Sequence, residues 1–333
     1  IRSDNYDTAL KTIENWIKSK EGMQKETVDD LDAFFDKYAT VDPQQVLVEG
    51  QPWGALEELL LGKQLVKGLK FSLPTDKNSL AYKEAQPWVE LLTDGKFSDS
   101  TLSKLPLSYQ TTDRWLRVIE QTAVATGMTW LHALYLGIAY AERGAIEEPK
   151  KYFETSIELH PTPIAYRCLA VLQTTPEAAW PYYQQAWANL HTAHKSDSDA
   201  YQRLTYNLIT EISFFLQQNL WYDEIGKFIS DVRSNNYLKD YEVDAFVSME
   251  IKYNIEQKAY TPAKESLSSH CFPTYAKARD DLMSMWNTVV MGEAEVKKGG
   301  ALTTVEKHQV RVQNKIPENI GCQYASEYCT NYW

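Results

Sequence analysis

Apolar side chains recur along this chain at the pitch of an α-helix. Between Trp130 and Pro161 the pattern predicts two helices and a turn. Ala133, Leu136, Gly137 and Tyr140 share one face of the first helix, and Gly144 supplies a left-handed residue that ends it and reverses the chain. The second helix sets Ile146, Pro149, Tyr152, Phe153, Ser156 and Ile157 on a buried stripe, with Glu147, Lys150, Lys151, Glu154 and Glu158 in water. Gly137 has no side chain, so the returning helix can approach closely there. Pro149 falls in a first turn, where a missing N–H breaks no helical bond, and Pro161 closes the unit.

Further pairs follow. Ile164–Leu172 pairs with Pro176–Leu190, whose Ala179, Tyr183 and Ala186 alternate small and large packing residues. A polar connection, His191–Ser198, leads to a helix marked by Tyr201, Leu204, Leu208, Ile212 and Phe215, returning through Tyr222, Ile225, Phe228, Ile229 and Val232. Tyr237–Ile255 pairs with Thr261–Ser269, and Tyr275–Lys297 is stopped by Gly299 and Gly300. In the front third, helical period appears at Tyr6–Ile17, Val28–Tyr38, Trp53–Leu61, Leu80–Leu92 and Asp113–Thr126, between long connections. Val46–Val48 and Leu69–Leu73 are too short for period to separate strand from helix. From His308 onward no period is sustained, and Tyr324, Tyr328, Tyr332 and Trp333 form an aromatic-rich tail expected to pack on the helices. The predicted fold is all-α: an α-solenoid of antiparallel helix hairpins. It divides into an irregular helical region over 1–127, helical repeats over 128–298 and a C-terminal extension over 299–333. Such a stack keeps a concave side open for a ligand or chain.

Leu136, Gly137, Tyr140, Phe153 and Pro161 stand at the offsets of a unit of about 34 residues and resemble the tetratricopeptide-repeat family. A second likeness runs through Gln51-Pro52-Trp53-Gly54-Ala55-Leu56-Glu57-Glu58, Asp113-Arg114-Trp115-Leu116, Thr129-Trp130-Leu131-His132, Ile164-Ala165-Tyr166-Arg167-Cys168-Leu169-Ala170 and Ile316-Pro317-Glu318-Asn319-Ile320-Gly321-Cys322. In that order these segments look like the C-terminal repeat half of large proteins with an uncharacterised β-rich, mutarotase-like front domain. Pro149, in place of a small residue, and Gln51-Pro52 depart from those patterns. The likeness implies a carbohydrate-associated context and a β-rich domain, in the same or another chain, as partner. The start at Ile1, with Asn5–Lys18 resembling the second helix of a hairpin, fits a piece of a longer protein.

Composition narrows the function classes. A content of 44% hydrophobic and 24% charged residues is that of a folded chain rather than a disordered one. Thirty-four basic against 45 acidic side chains leave a net charge of -11, which repels phosphate backbones and anionic lipid, so neither nucleic acid nor membrane is expected as a partner. No apolar run reaches the roughly 18 residues of a membrane span. Cytoplasmic residence is expected, with secretion as its alternative. Cys168 fits a core position, while Cys322 and Cys329 fit either a disulfide in an oxidising compartment or two thiols in a reducing one. No ligand spacing for a metal and no cofactor motif is present.

The chemistry-bearing residues are few. Trp53 with Glu57 and Glu58 could stack on and hydrogen-bond a sugar, and glycoside hydrolysis needs two carboxyl groups about 5 to 10 Å apart. Adjacent helical residues point about 100° apart, so this pair does not face one cleft. Arg114 and Trp115 offer a stacked cation and ring, or a surface arginine beside a core tryptophan. His132 is a ligand candidate, or a structural imidazole held by hydrogen bonds. His270 adjoins Cys271 in sequence without the placement that activates a thiol. No catalytic residue is assigned. The expected function is a helical-repeat binding and scaffolding module of a carbohydrate-associated protein, shaping a ligand cleft or mediating assembly, homo-oligomers included. The alternative is a glycoside hydrolase with acids near Trp53–Glu58 and in a separate β-rich domain, so the pattern does not decide whether the chain is an enzyme.

Overall fold

A computed structural model describes residues 52–65, 71–192, 198–235, 237–238, 243–272 and 280–320. The predicted helices at Tyr6–Ile17 and Val28–Tyr38, the run Val46–Val48, and the tail with Cys322 and Cys329 lie outside these residues. Of Leu69–Leu73, residues 71–73 form no regular element. The described residues hold fourteen helices and no strand. In chain order these are α1 (Trp53–Leu61), α2 (Leu80–Thr93), α3 (Asp99–Leu102), α4 (Asp113–Thr126), α5 (Trp130–Ala141), α6 (Glu147–Leu159), α7 (Pro163–Val171) and α8 (Pro176–Thr192). There follow α9 (Ser198–Asn219), α10 (Tyr222–Ser234), α11 (Asp244–Glu256), α12 (Tyr260–Ser269), α13 (Asp280–Lys298) and α14 (Thr304–Gln313). The all-α class is therefore as the periodicity predicts. Contacts divide the chain into two compact units, Ile1–Tyr201 and Gln202–Trp333.

In the first unit, Leu56 of α1, Trp88 of α2, Trp115 of α4, Tyr135 of α5, Phe153 of α6 and Leu169 of α7 meet in one core. The α5–α6 hairpin forms as its sequence dictates. Thr129 and His132 close a capping box at the start of α5. At its end Gly144 takes φ +76°; its N–H donates to the Ala141 carbonyl at 2.9 Å, and the Ala145 N–H donates to Tyr140 at 3.2 Å. The same pair of bonds closes α9 at Leu220, α11 at Lys258 and α13 at Gly299. Leu220 (φ +54°) and Lys258 (φ +58°) hold this left-handed position without being glycine, at a cost of roughly 1 to 2 kcal/mol each. Ile146, expected on the buried stripe of α6, is instead 56% exposed, because it precedes the helix as its cap residue.

Gly137 admits Phe153 across the hairpin: a Cβ built there would lie 2.5 Å from Phe153 Cε1. Phe153 is wholly enclosed and has nowhere to swing. Gly137→Ala gains about 1 kcal/mol of helix propensity. Overpacking outweighs that gain, for an expected net loss of about 1 to 2 kcal/mol, read as a lower urea midpoint at unchanged slope.

In the second unit, Val247 and Ile251 of α11, Ala263 and Leu267 of α12, and Leu282, Trp286, Val289 and Val290 of α13 form a core that Ile320 completes. Gly292 of α13 lies against the Tyr260 ring, so the small residue again sits where two helices come closest. Asn319 Nδ2 donates to the carbonyls of Leu267 and His270 at 2.7 Å each, tying the chain after α14 to the end of α12.

Candidate functional site

The residues singled out around Trp53 are placed by the first unit's core. Trp115 is fully buried, and its Nε1–H donates to Glu57 Oε1 at 2.8 Å. Glu58 turns away and accepts the backbone N–H groups of Leu65 and Phe71 at 3.0 and 3.1 Å, fixing the chain after α1. The structure thus brings Trp53, Glu57 and Trp115 to one core and gives the two carboxylates separate partners. Arg114 is exposed, one helical step from the buried indole.

His132 is completely enclosed. Its Nδ1 accepts the Thr129 N–H at 3.4 Å and lies 2.8 Å from Thr129 Oγ1. Nε2 lies 3.2 Å from Thr122 Oγ1, whose own proton goes to the Val118 carbonyl at 2.8 Å. The neutral tautomer protonated on Nε2 satisfies this network. Burial lowers the imidazole from its ordinary 6.5 to about 4. The ring therefore behaves as a neutral cap within the fold.

Tyr135 stacks on Trp88 with ring centroids 4.6 Å apart, and its hydroxyl has no hydrogen-bond partner. A buried unsatisfied hydroxyl costs roughly 1 to 3 kcal/mol. Tyr135→Phe keeps the ring and removes the orphan, so thermal unfolding of this variant is expected at the same or a higher temperature, never a lower one.

In the second unit, Gly226 of α10 lets the Tyr253 hydroxyl of α11 come within 2.7 Å of where a Cβ would stand. Beside this contact lies an open groove of about 680 Å³, lined by Asp223, Gly226, Lys227, Ser230, Asp231, Ser234 and Tyr253. Asp223, Lys227, Ser230 and Ser234 recur at i, i+4, i+7 and i+11, so α10 presents one polar face to it. Arg233 bonds Glu250 through Nε at 3.2 Å and Nη2 at 2.5 Å and lies 5.1 Å from the Phe246 ring, which locks α10 to α11 at the groove's end. Glu224, at 2.6 Å, raises the Lys227 ammonium above its ordinary range. Sequence reasoning missed this groove; Gly226, alone within an otherwise good helix former, was its available signal.

His270 Nε2 lies 2.8 Å from Asp244 Oδ1, so this imidazole joins α12 to the start of α11. Cys271 beside it is exposed. Among the described residues, no group of three His, Cys, Asp or Glu side chains is placed to hold a metal, and no helix is long and apolar enough to cross a membrane.

A family model described as transcriptional regulator, SIX1, N-terminal SD domain, matches residues 204–318. No curated protein and no solved structure matches the chain. The matched stretch lies wholly inside the second compact unit. The match corrects several expectations. A carbohydrate-associated module and its glycosidase alternative give way to likeness with a regulatory domain, and the sugar ligand and β-rich partner go with them. Glu57 accepts the Trp115 indole N–H and Glu58 accepts two backbone N–H groups, so both carboxylates have partners within the fold. The exclusion of nucleic acid is overturned as well: it rested on total charge, whereas a partner meets one face, and a face can carry the opposite sign. The expectation of cytoplasmic residence is corrected by the same match, whose description is that of a transcriptional regulator.

Proposed function

We propose that this chain is a helical partner-binding module acting in transcriptional regulation, and hence in the nucleus, with its second unit carrying the partner surface. The observation that carries the reading is the coincidence of two independent boundaries: the regulatory-domain likeness begins at residue 204, and the second compact unit begins at Gln202. The groove over Gly226 lies within that stretch and supplies both charged and hydroxyl groups to a partner. In the finer description the hairpins are tetratricopeptide-like. Support for this comes from the α5–α6 unit, with Gly137 under Phe153 and Gly144 at the turn, and from the repeated closing bonds at Leu220 and Lys258.

The test is recruitment of the full chain to a reporter promoter through a fused heterologous DNA-binding domain. Reporter output is expected to change, and Ser230→Trp, which fills the groove from an exposed position, is expected to return it toward background. An unchanged reporter together with exclusion of the chain from the nucleus would overturn the reading.

A further inference from the structure

Two segments of the second unit meet at a hydrogen bond, and a cysteine follows each of them. Asn319, in the turn after α14, donates through Nδ2 to the carbonyls of Leu267 and His270 at 2.7 Å each, and Cys271 is the next residue after His270. Phe272 and Ile320 are buried in the same core, so both segments are held where they meet. Cys271 itself is exposed, and its thiol is in no disulfide.

Cys322 follows Asn319 by three residues. Covalent geometry bounds what that spacing permits. The Asn319 bond to the His270 carbonyl keeps the Cα atoms of Asn319 and Cys271 within about 9 Å, and three residues of chain span at most about 11 Å. A disulfide needs Cα atoms roughly 4.4 to 6.8 Å apart, which lies inside that reach. So short a tether gives one thiol an effective concentration at the other on the order of millimolar or more. Cys329 stands ten residues beyond Asn319, where the same anchor restrains a thiol less.

We infer that Cys271 and Cys322 form a reversible disulfide that fastens the chain after α14 to the end of α12. The oxidant is a small disulfide such as glutathione disulfide. The exposed Cys271, as thiolate, attacks one of its sulfurs and expels a glutathione thiolate, which takes up the proton. The Cys322 thiolate then attacks the Cys271 sulfur of the mixed disulfide, and the second glutathione leaves in the same way. Two protein thiols are thereby oxidised and one glutathione disulfide is reduced to two thiols. In a reducing compartment both cysteines stay thiols, and the bond forms when the glutathione pool is oxidised. This modification site goes beyond the regulatory reading and does not depend on it.

The experiment oxidises the reduced full chain with glutathione disulfide, blocks the remaining thiols and digests it with chymotrypsin, which cuts after Tyr324 and Tyr328 and so separates Cys322 from Cys329. Mass mapping without reduction is expected to show a peptide linked through Cys271 and Cys322, which dithiothreitol releases and which persists in Cys329→Ser. Asn319→Ala removes the tether and is expected to slow closure about tenfold, while the first addition of glutathione at Cys271 keeps its rate. The bond closes a loop of about 50 residues, so the oxidised chain should unfold at a urea midpoint about 1 M above the reduced one, and Cys271→Ser should show no such shift. A main product linked through Cys322 and Cys329, glutathione that stays on Cys271 without closure, or a dimer joined through Cys271 would each overturn the proposal.

Discussion

Trp88→Ala is expected to destabilise the first unit by about 3 to 5 kcal/mol, the cost of removing a large aromatic from a close-packed interior. Trp88 is fully buried, stacks on Tyr135, and meets Trp115 edge-on with ring centroids 5.2 Å apart. Its Nε1–H donates to Ser108 Oγ at 3.0 Å, and that hydroxyl donates in turn to the Glu84 carbonyl at 3.0 Å. Alanine therefore opens a cavity between α2, α4 and α5 and strips Ser108 of its donor. Leu56, Ile119 and Leu134 of the same core are fully enclosed too, and a close-packed interior relaxes only partly around a lost side chain. Chemical denaturation should show a loss near this size, and Trp88→Phe, which keeps a ring without the N–H, should lose distinctly less. A Trp88→Ala loss below about 1 kcal/mol would mean that these helices do not share a core.

The second large effect is an acid-linked loss of stability at His132. In the unfolded chain an imidazole binds its proton near 6.5; inside the fold, burial delays protonation to about 4. Protonating Nδ1 would also set an N–H against the Thr129 N–H that it now accepts. Above pH 6.5 the ring is neutral in both states and its contribution to stability is complete. As pH falls from 6.5 to 4 the unfolded chain takes up a proton that the folded chain refuses, and stability declines by about 3 kcal/mol. Below 4 this group adds no further loss. Denaturant midpoints across that window should reveal the decline, and His132→Asn, which retains a side-chain acceptor for the cap, should flatten it. A His132 ring that titrates near 6.5 in the native protein by NMR would contradict the buried placement.

How far the residues alone reach is clearest at particular elements. The hairpin Trp130–Pro161 could be read because every device in it is local: a stripe of apolar residues, a glycine at the turn and a proline beyond the end. Helix α8 was equally open, with Ala179, Tyr183, Ala186 and Leu190 all buried at helical spacing. Helix α14 was missed because its apolar side chains are three valines spread over both faces among polar and charged residues, so no single apolar face stands out, although the Thr303 to Glu306 spacing already marked its start. At the functional level, Trp53, Glu57 and Glu58 suggested a sugar site through adjacency in sequence, while their partners stand at Trp115, Leu65 and Phe71, too far along the chain for spacing to indicate.

By itself the sequence determined that the chain is helical, where its main hairpins turn and which faces they bury, since periodicity, caps and breakers act within a few residues of one another. Tertiary structure alone decided that Glu57 serves an indole, that His132 is sealed as a neutral cap, and that Gly226 opens a groove beneath Tyr253. Each of these depends on side chains that meet only after helices pack, and no local rule carries that information.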